Sequence, residues 1–189
     1  LQGVGLGYIT LGQPSTTLSG GESQRVKLAA ELAKKSTGKT MYILDEPTTG
    51  VDPVSRKEFW EMLKRLQQKG ITILVSTPYM DEAALCDRIA LIQDGEILEI
   101  DTPEAIVMNY PKTIYDVGAD NMYLLIESLK EYEHNYSVYP FGEFVHYSDK
   151  RDAFEPEELQ AFLESKGLKE ITIAVTEATI EDTFMELAR

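Results

Sequence analysis

Two short apolar runs separated by an amphipathic segment constrain the fold of this chain more than any other feature. The runs are 41–44, which ends in Asp45-Glu46-Pro47, and 71–76. The segment between them has apolar residues at helical spacing, begins at Asp52-Pro53 and ends at Gly70. Strands that are apolar throughout are typical of buried parallel sheets. The strand–helix–strand order therefore predicts an α/β fold with a parallel sheet.

The elements on either side of this core are also predicted from local pattern. A Gly-rich lead precedes a helix over about 21–34. A short helix follows around 81–86, and strands over 88–93 and 96–100 flank Asp94-Gly95, a strong hairpin signal.

Residues 111–189 are predicted to form a second, small α+β domain, which leaves 1–110 as the first domain. The predicted strands are 113–118, 136–139, 143–147 and 170–176, and the predicted helices are 120–132, 156–166 and 179–188. This β-α-β-β-α-β order is that of a ferredoxin-like fold. Five phenylalanines are candidate core residues, and a half-buried strand is expected from the alternation of Ile171, Ile173 and Val175. The five are Phe141, Phe144, Phe154, Phe162 and Phe184.

Charge and composition narrow the class of protein. The net charge is −14, and residues 111–189 carry seven basic and seventeen acidic side chains. An acidic surface repels phosphates, which argues against nucleic-acid binding by that part. The apolar runs are too short to span a bilayer, no signal peptide pattern is present, and Cys86 is the single cysteine. We therefore expect a cytoplasmic location.

The first candidate site is Leu18-Ser-Gly-Gly-Glu-Ser-Gln24, directly before the predicted helix. Ser19 is a suitable N-cap, and Gly20 and Gly21 allow the backbone to approach an anion closely. A helix N-terminus of this kind can bind phosphate, although a plain capped helix has the same pattern.

The second candidate site is the acidic pair Asp45-Glu46 at the carboxyl end of a predicted strand, where ligands bind in open α/β sheets. One carboxylate can hold Mg²⁺ and the other can orient a water molecule. Two solvated acids at a strand end are the simpler alternative.

The ordered series of these motifs with Gly50-Val-Asp52 resembles the ABC ATPase superfamily, in which they are the signature, Walker B and D-loop motifs. The resemblance implies an ABC-type P-loop NTPase core, here a partial one. It implies that Ser19, Gly20, Gly21 and Gln24 contact ATP bound to a partner subunit. It also implies that Asp45 acts on Mg²⁺ through water, that Glu46 is the general base and that Asp52 links two ATP sites.

Different parts of the chain resemble two different subfamilies of ABC ATPases. Residues 1–50, including Val4-Gly-Leu-Gly-Tyr8 and Gln24-Arg-Val-Lys-Leu28, resemble the C-terminal ATPase region of UvrA, the damage-recognition subunit of bacterial nucleotide excision repair. From Val51 onward, Tyr79-Met-Asp-Glu-Ala83 and Cys86-Asp-Arg-Ile89 resemble the ATP-binding subunit of a bacterial ABC exporter, and residues 111–189 resemble its accessory domain. The two resemblances meet at Glu46–Asp52, which predicts a chimera.

The chain departs from the family pattern in two respects. The P-loop is expected upstream of Leu18, and Gly38-Lys39-Thr40 does not replace it because Ala33 occupies the position of the leading glycine. Pro78 occupies the position of the family's switch histidine and has no side-chain donor or acceptor. No ATPase activity is therefore expected from the chain alone. His134 and His146 are read as ordinary polar residues.

Our sequence-based interpretation is an ATP-binding subunit, in part, of an ABC exporter that couples ATP binding and hydrolysis to transport. The expected partners are a second ABC ATPase subunit or the missing N-terminal half, a membrane permease that would bring the chain to the inner face of the membrane, and further copies of the chain. One alternative is a UvrA-like repair ATPase, the only interpretation with a DNA partner. Others are a non-hydrolysing binding module and an artificial folding unit.

Overall fold

The computed structural model describes residues 40–189 together with Val26 and Ala30, which are both helical. The described chain is a mixed α/β structure, as predicted. It divides into two compact units, residues 1–85 and 86–189. In the part of the chain that the structure describes, the first unit contains one sheet and the second contains two.

The described part of the first unit is built on one parallel strand pair. Strand β1 (Met41–Asp45) pairs with β2 (Thr72–Ser76) in parallel, so that Asp45 lies opposite Ser76. Helix α1 (Pro53–Gln68) connects the two strands, and α2 (Met80–Ala83) follows β2. Gly70 adopts φ +82 between α1 and β2, in agreement with the predicted helix end.

Helix α1 has one buried apolar face. Its buried residues recur at helical spacing and are Phe59, Trp60, Met62, Leu63 and Leu66. Leu44 of β1 is also buried, whereas Ile43 and its neighbour Leu74 on β2 are 72% and 53% exposed. Burial of the predicted strand at 41–44 is therefore confirmed at Leu44 and wrong at Ile43. Alternate residues of a strand face opposite sides, and among the described residues the side that carries Ile43 and Leu74 is exposed.

The second unit begins with a hairpin and a short helix. Strand β3 (Ile89–Gln93) pairs antiparallel with β4 (Glu96–Asp101), and helix α3 (Pro103–Met108) follows. Asp94 and Gly95 both have positive φ, 53° and 83°, which is the geometry of a type I′ turn. The hairpin predicted at Asp94-Gly95 is confirmed.

The remaining residues form a four-stranded antiparallel sheet with the order β6-β7-β5-β8. Its strands are β5 (Ile114–Gly118), β6 (Asn135–Phe141), β7 (Phe144–Asp149) and β8 (Thr172–Thr176), and its helices are α4 (Met122–Glu131), α5 (Pro156–Ser165) and α6 (Ile180–Leu187). The predicted β-α-β-β-α-β order is confirmed, with boundaries within two residues. The central strand β5 pairs with both β7 and β8.

The core of this unit is mainly aliphatic, and its buried aromatic residues are Tyr132 and Tyr147 rather than phenylalanines. The fully buried residues are Val117, Leu125, Leu129, Val145, Tyr147, Leu159 and Leu163. Phe154 and Phe162 pack against this core, but Phe144 is exposed. Ile171 and Ile173 pack against the core as predicted, but Val175, further along β8, is exposed. The expectation of a buried Phe144 and Val175 is therefore wrong.

The division between the units falls between Leu85 and Cys86, whereas the sequence analysis placed the domain boundary after residue 110. Contacts within the second unit account for the difference. Thr183 of α6 donates a hydrogen bond to the carbonyl of Ile106 in α3 at 3.3 Å. The Tyr110 hydroxyl lies 3.0 Å from the Ser137 hydroxyl of β6. Residues 103–110 therefore pack with the ferredoxin-like sheet.

Candidate functional site

The carboxyl end of the parallel strand pair holds the Asp45 carboxylate in place. Asp45 and Ser76 are register partners at the ends of β1 and β2. The Ser76 hydroxyl donates a hydrogen bond to Asp45 Oδ1. Sequence reasoning missed Ser76, although both apolar runs end in a polar residue, and parallel strands bring such ends together.

Glu46 follows in a backbone conformation that its side chain disfavours. Its φ is 41°, in the left-handed region, which costs a residue with a Cβ about 1–2 kcal/mol. The Glu46 amide donates to the Ser76 carbonyl at 3.0 Å, and the Glu46 carbonyl accepts from the Thr49 amide at 3.2 Å. Strain of this kind is common at functional sites.

The turn after Glu46 also orients its carboxylate. The Thr49 hydroxyl donates to Glu46 Oε2 at 3.2 Å. Thr48 is fully buried, and its hydroxyl oxygen has no hydrogen-bond partner within the described structure. Gly50 adopts φ +72 and lets the chain turn toward α1. The structure thus brings Asp45, Glu46 and Thr49 together with Ser76 at one edge of the sheet.

Asp52 is the N-cap of α1. Its Oδ1 accepts from the amides of Val54 at 3.1 Å and Ser55 at 3.0 Å. The hydrogen bonds from Ser55 and then Val54 hold the pKa of the Asp52 carboxyl below its usual value. This contact explains why α1 begins where it does. A link between two ATP sites through Asp52 stays a prediction.

The predicted residues of the signature motif, Ser19, Gly20, Gly21 and Gln24, lie outside the described residues, and their contact with ATP stays a prediction. Pro78 lies in the described loop between β2 and α2. That loop is tied to α2, because Thr77 donates from its hydroxyl to Glu82 Oε2 at 2.7 Å.

His146 forms a buried cluster in the second unit that sequence reasoning did not identify. The side chain is 4% exposed, and its ring stacks on Phe141 at 4.0 Å between centroids. Its Nδ1 lies 2.8 Å from Asp182 Oδ1 and its Nε2 lies 3.2 Å from Asp116 Oδ1. The cluster links α6 to β5 and β7.

Burial by itself raises the pKa of the Asp182 carboxyl. Hydrogen bonds from His146 and Thr179 more than offset it, so that this pKa lies below its usual value. The cluster is nearly closed to solvent, which suits a role in holding the fold rather than in reacting with a substrate.

The donor set at the sheet edge fits a hard cation bound largely through water. Asp45 and Glu46 supply carboxylate oxygens, which Mg²⁺ prefers, and Mg²⁺ usually keeps several water ligands. Within residues 40–189, no group of three or more His, Cys, Asp or Glu side chains is arranged to hold a metal ion. The described residues therefore suit Mg²⁺ that arrives with a phosphate ligand better than a site made of protein alone.

Comparison with known proteins finds similarity to UvrA proteins over somewhat more than half of the chain. The chain is 53% identical over 114 residues to UvrABC system protein A from Bacillus subtilis (strain 168) and 46% identical over 115 residues to the protein of that name from Aquifex aeolicus (strain VF5). These matches cover 56% and 58% of this chain and 12% of each relative. The crystal structure of UvrA2 from Deinococcus radiodurans matches 57% of this chain and 14% of that chain, at 40% identity and a TM-score of 0.53. No family model matches.

These findings correct the exporter interpretation. The UvrA match covers more residues than the first 50, so it extends into the part that the sequence analysis assigned to an exporter. The exporter function is therefore wrong, and neither a chimera nor a permease partner is supported. The exporter assignment rested on short segments after residue 50, such as Tyr79-Met-Asp-Glu-Ala83 and Cys86-Asp-Arg-Ile89, and matches of that length do not distinguish subfamilies. In the part of the chain that the structure describes, no helix is long and apolar enough to cross a membrane.

Proposed function

We propose that this chain provides part of a UvrA-type ABC ATPase and acts, with ATP and DNA, in a UvrABC-type repair system. The observation that carries the proposal is the Asp45-Glu46 pair at the edge of a parallel sheet, within a chain about half of which is 46–53% identical to UvrABC system protein A. The chain spans about 12% of the length of these relatives, so the activity and the partners belong to this proposal.

Asp45 would hold Mg²⁺ through a water molecule, and the Ser76 hydroxyl would fix its carboxylate for that task. When bound, Mg²⁺ neutralises charge on the transferred phosphoryl group. Thr49 occupies Oε2 of Glu46, which leaves Oε1 to take a proton from the attacking water. The signature residues would contact the γ-phosphate of ATP on a second ATPase half.

Hydrolysis at this site requires a P-loop that lies outside these 189 residues. Phosphoryl transfer depends on backbone amides and a lysine that cradle the phosphates. The 189 residues contain no such motif, since Ala33 stands where the leading glycine of Gly38-Lys39-Thr40 would be. We therefore propose that these 189 residues are inactive alone and become active when a P-loop segment is supplied.

The experiment mixes the chain with a separately produced fragment of a UvrA relative that contains the P-loop. We expect no ATP turnover from either piece, turnover from the mixture, and loss of turnover with Glu46→Gln. Glu143→Gln, which removes an exposed carboxylate in the turn between β6 and β7, is the matched control. Turnover that is indifferent to Glu46→Gln would contradict the role of Glu46. A mixture that stays inactive, and that binds a DNA duplex no better with ATP than without, would contradict the proposed function.

A further inference from the structure

The four-stranded sheet of the second unit has two edge strands, β6 and β8, and only β6 carries protection against a further strand. Natural proteins shield the unpaired backbone groups of an edge strand with prolines, bulges, charged side chains or covering segments. β6 contains Pro140, and its register shifts between Asn135 and Ser137. The Arg189 guanidinium also donates to the Tyr136 carbonyl at 3.0 Å. These features protect the β6 edge.

β8 has neither a proline nor a bulge nor a charged residue. Its sequence is Thr172-Ile-Ala-Val-Thr176, in which every residue except the alanine is β-branched. In the part of the chain that the structure describes, β8 pairs with β5 alone, in continuous register. Alternate residues of an antiparallel strand direct their backbone groups to opposite sides, so one set on β8 points away from β5. This regular, uncharged edge is suited to pairing with another strand.

The sequence of β8 is complementary to itself under two-fold symmetry. When two copies pair antiparallel about Ala174, Ile173 of each lies opposite Val175 of the other, and Thr172 lies opposite Thr176. Facing threonines can form hydrogen bonds, and β-branched side chains pack well against cross-strand neighbours. Val175, which is 71% exposed in the single chain, gains an apolar neighbour in this register. At the axis, the small side chain of Ala174 meets its own copy.

The charge of the chain predicts how such pairing depends on salt. β8 carries no charge, so the pairing buries no charged side chain within the strand. The whole chain has a net charge of −14, so two copies repel each other at long range, and salt screens that repulsion. Pairing through β8 therefore strengthens as salt is added, whereas an interface held by ion pairs weakens.

We propose that β8 is a self-association edge, through which two copies of this chain pair antiparallel and join their sheets into one. The strand order is then β6-β7-β5-β8 in one copy, continued by β8-β5-β7-β6 in the other. Opposing residues of an antiparallel pair point to the same side of the sheet, so Ile173 and Val175 of both copies form one apolar row. A strand of another protein on this edge would lack the two-fold register, so a test of register separates the two occupants.

The first experiment is sedimentation of the full chain over a range of concentrations. We expect a monomer–dimer equilibrium that becomes tighter between about 0.05 and 0.5 M salt. Ala174→Lys places two like charges opposite each other at the axis, and we expect dimer formation to weaken at least about tenfold. Ala90→Lys, at an exposed alanine of strand β3, is the matched control and leaves dimer formation unchanged. Circular dichroism of each variant verifies that the fold is intact.

The second experiment tests the register by disulfide formation in a Cys86→Ser background, which removes the chain's only cysteine. Ala174→Cys places two thiols opposite each other at the axis, within the Cα separation that a disulfide spans. Thr172→Cys is the control on the same exposed edge. Its two copies lie four residues apart along the paired strands, about 14 Å, which is too far for a disulfide. We expect covalent dimers from Ala174→Cys and none from Thr172→Cys.

The remaining outcomes overturn the proposal. A chain that stays monomeric at high salt and high concentration does not pair through β8. Dimers that Ala174→Lys leaves unchanged, or that form without a disulfide in Ala174→Cys, use another surface. Equal cross-linking of the Ala174→Cys and Thr172→Cys chains shows collision without a fixed register. Should Ala174→Lys fail to fold, the two cysteine variants decide the matter by themselves.

Discussion

At the scale of single residues, Glu46 combines two properties that oppose each other. Its carboxylate lies at the sheet edge where the proposed chemistry occurs, and its backbone has φ 41°. Asn tolerates the left-handed region better than other residues with a side chain. We therefore expect Glu46→Asn to raise the free energy of unfolding of the first unit by about 0.5–1 kcal/mol relative to Glu46→Gln.

The measurement is denaturant unfolding followed by Trp60 fluorescence, since Trp60 lies in the same unit. Both substitutions remove the carboxylate, so the difference between their free energies of unfolding reports the backbone strain at residue 46. Equal midpoints for the two variants would show that the turn from Glu46 to Thr49 carries no strain.

The His146 cluster predicts the acid response of the second unit. The pKa of Asp182 is lowered in the folded state, as is that of Asp149, where burial raises the pKa and contacts from Arg151 and Tyr147 more than offset it. Such carboxyls bind fewer protons folded than unfolded, so their stabilisation is complete above about pH 4 and is lost as pH falls through their folded pKa.

We therefore expect the melting temperature of the second unit to fall as pH is lowered from about 5 to 2, and to fall less steeply in Asp182→Asn. Thermal unfolding by circular dichroism across this range is the measurement. Glu143→Gln, in an exposed turn, serves as the control and should keep the wild-type slope. A slope unchanged in Asp182→Asn would show that the carboxylate near His146 does not contribute.

At the scale of elements, two substitutions of the α1 cap residue Asp52 distinguish an effect on stability from an effect on function. Asp52→Ala removes the acceptor for the amides of Val54 and Ser55. We expect it to destabilise the first unit by about 1 kcal/mol, whereas Asp52→Asn retains a cap and changes stability little. Denaturant midpoints from Trp60 fluorescence distinguish the two. If Asp52→Asn also abolishes turnover with a P-loop partner, the carboxylate has a role beyond capping.

The positions of helices and strands were more predictable from sequence than the exposure and long-range contacts of their side chains. Alternation, helical spacing and the turn residues Asp94-Gly95 are local signals, and each produced an element near its observed position. Exposure of Ile43 and Val175 was not predictable, because it depends on which face or edge of a sheet the rest of the chain covers. The contacts of His146 with Asp116 and Asp182 join residues 30 or more positions apart, and no local pattern reports them.

In the candidate site, too, residues marked by a local pattern were predicted and residues brought in by strand pairing were not. Asp45 and Glu46 were identified from their place at the end of an apolar run. Ser76 was missed because its role arises only when β1 and β2 align in register. The subfamily of the part after residue 50 was misassigned, because the exporter resemblance rested on short segments such as Tyr79-Met-Asp-Glu-Ala83.

At the scale of the whole molecule, the contacts of α3 predict where the chain can be divided. Residues 86–189 form one compact unit that includes the hairpin and α3. A chain that starts at 111 lacks Ile106, the residue whose carbonyl accepts from Thr183. We expect 86–189 to fold alone and 111–189 to be less stable, by roughly 1–3 kcal/mol for the lost contacts.

Amide NMR spectra and thermal melts of the two fragments make the comparison. Well-dispersed peaks and equal melting temperatures for both fragments would show that the hairpin and α3 add nothing to the sheet. Poor dispersion for 86–189 would show that the second unit depends on the first.

The position of β5 in the sheet affects how the chain folds while it is being synthesised. β5 lies between β7 and β8, so the middle of the sheet gains its second neighbour from a strand about 55 residues later in the chain. Until β8 leaves the ribosome, one side of β5 has no strand partner from this sheet and presents backbone groups to other nascent chains. A ribosome that stalls within α5 would therefore expose a pairing edge, and quality-control factors would encounter this chain mainly in that interval.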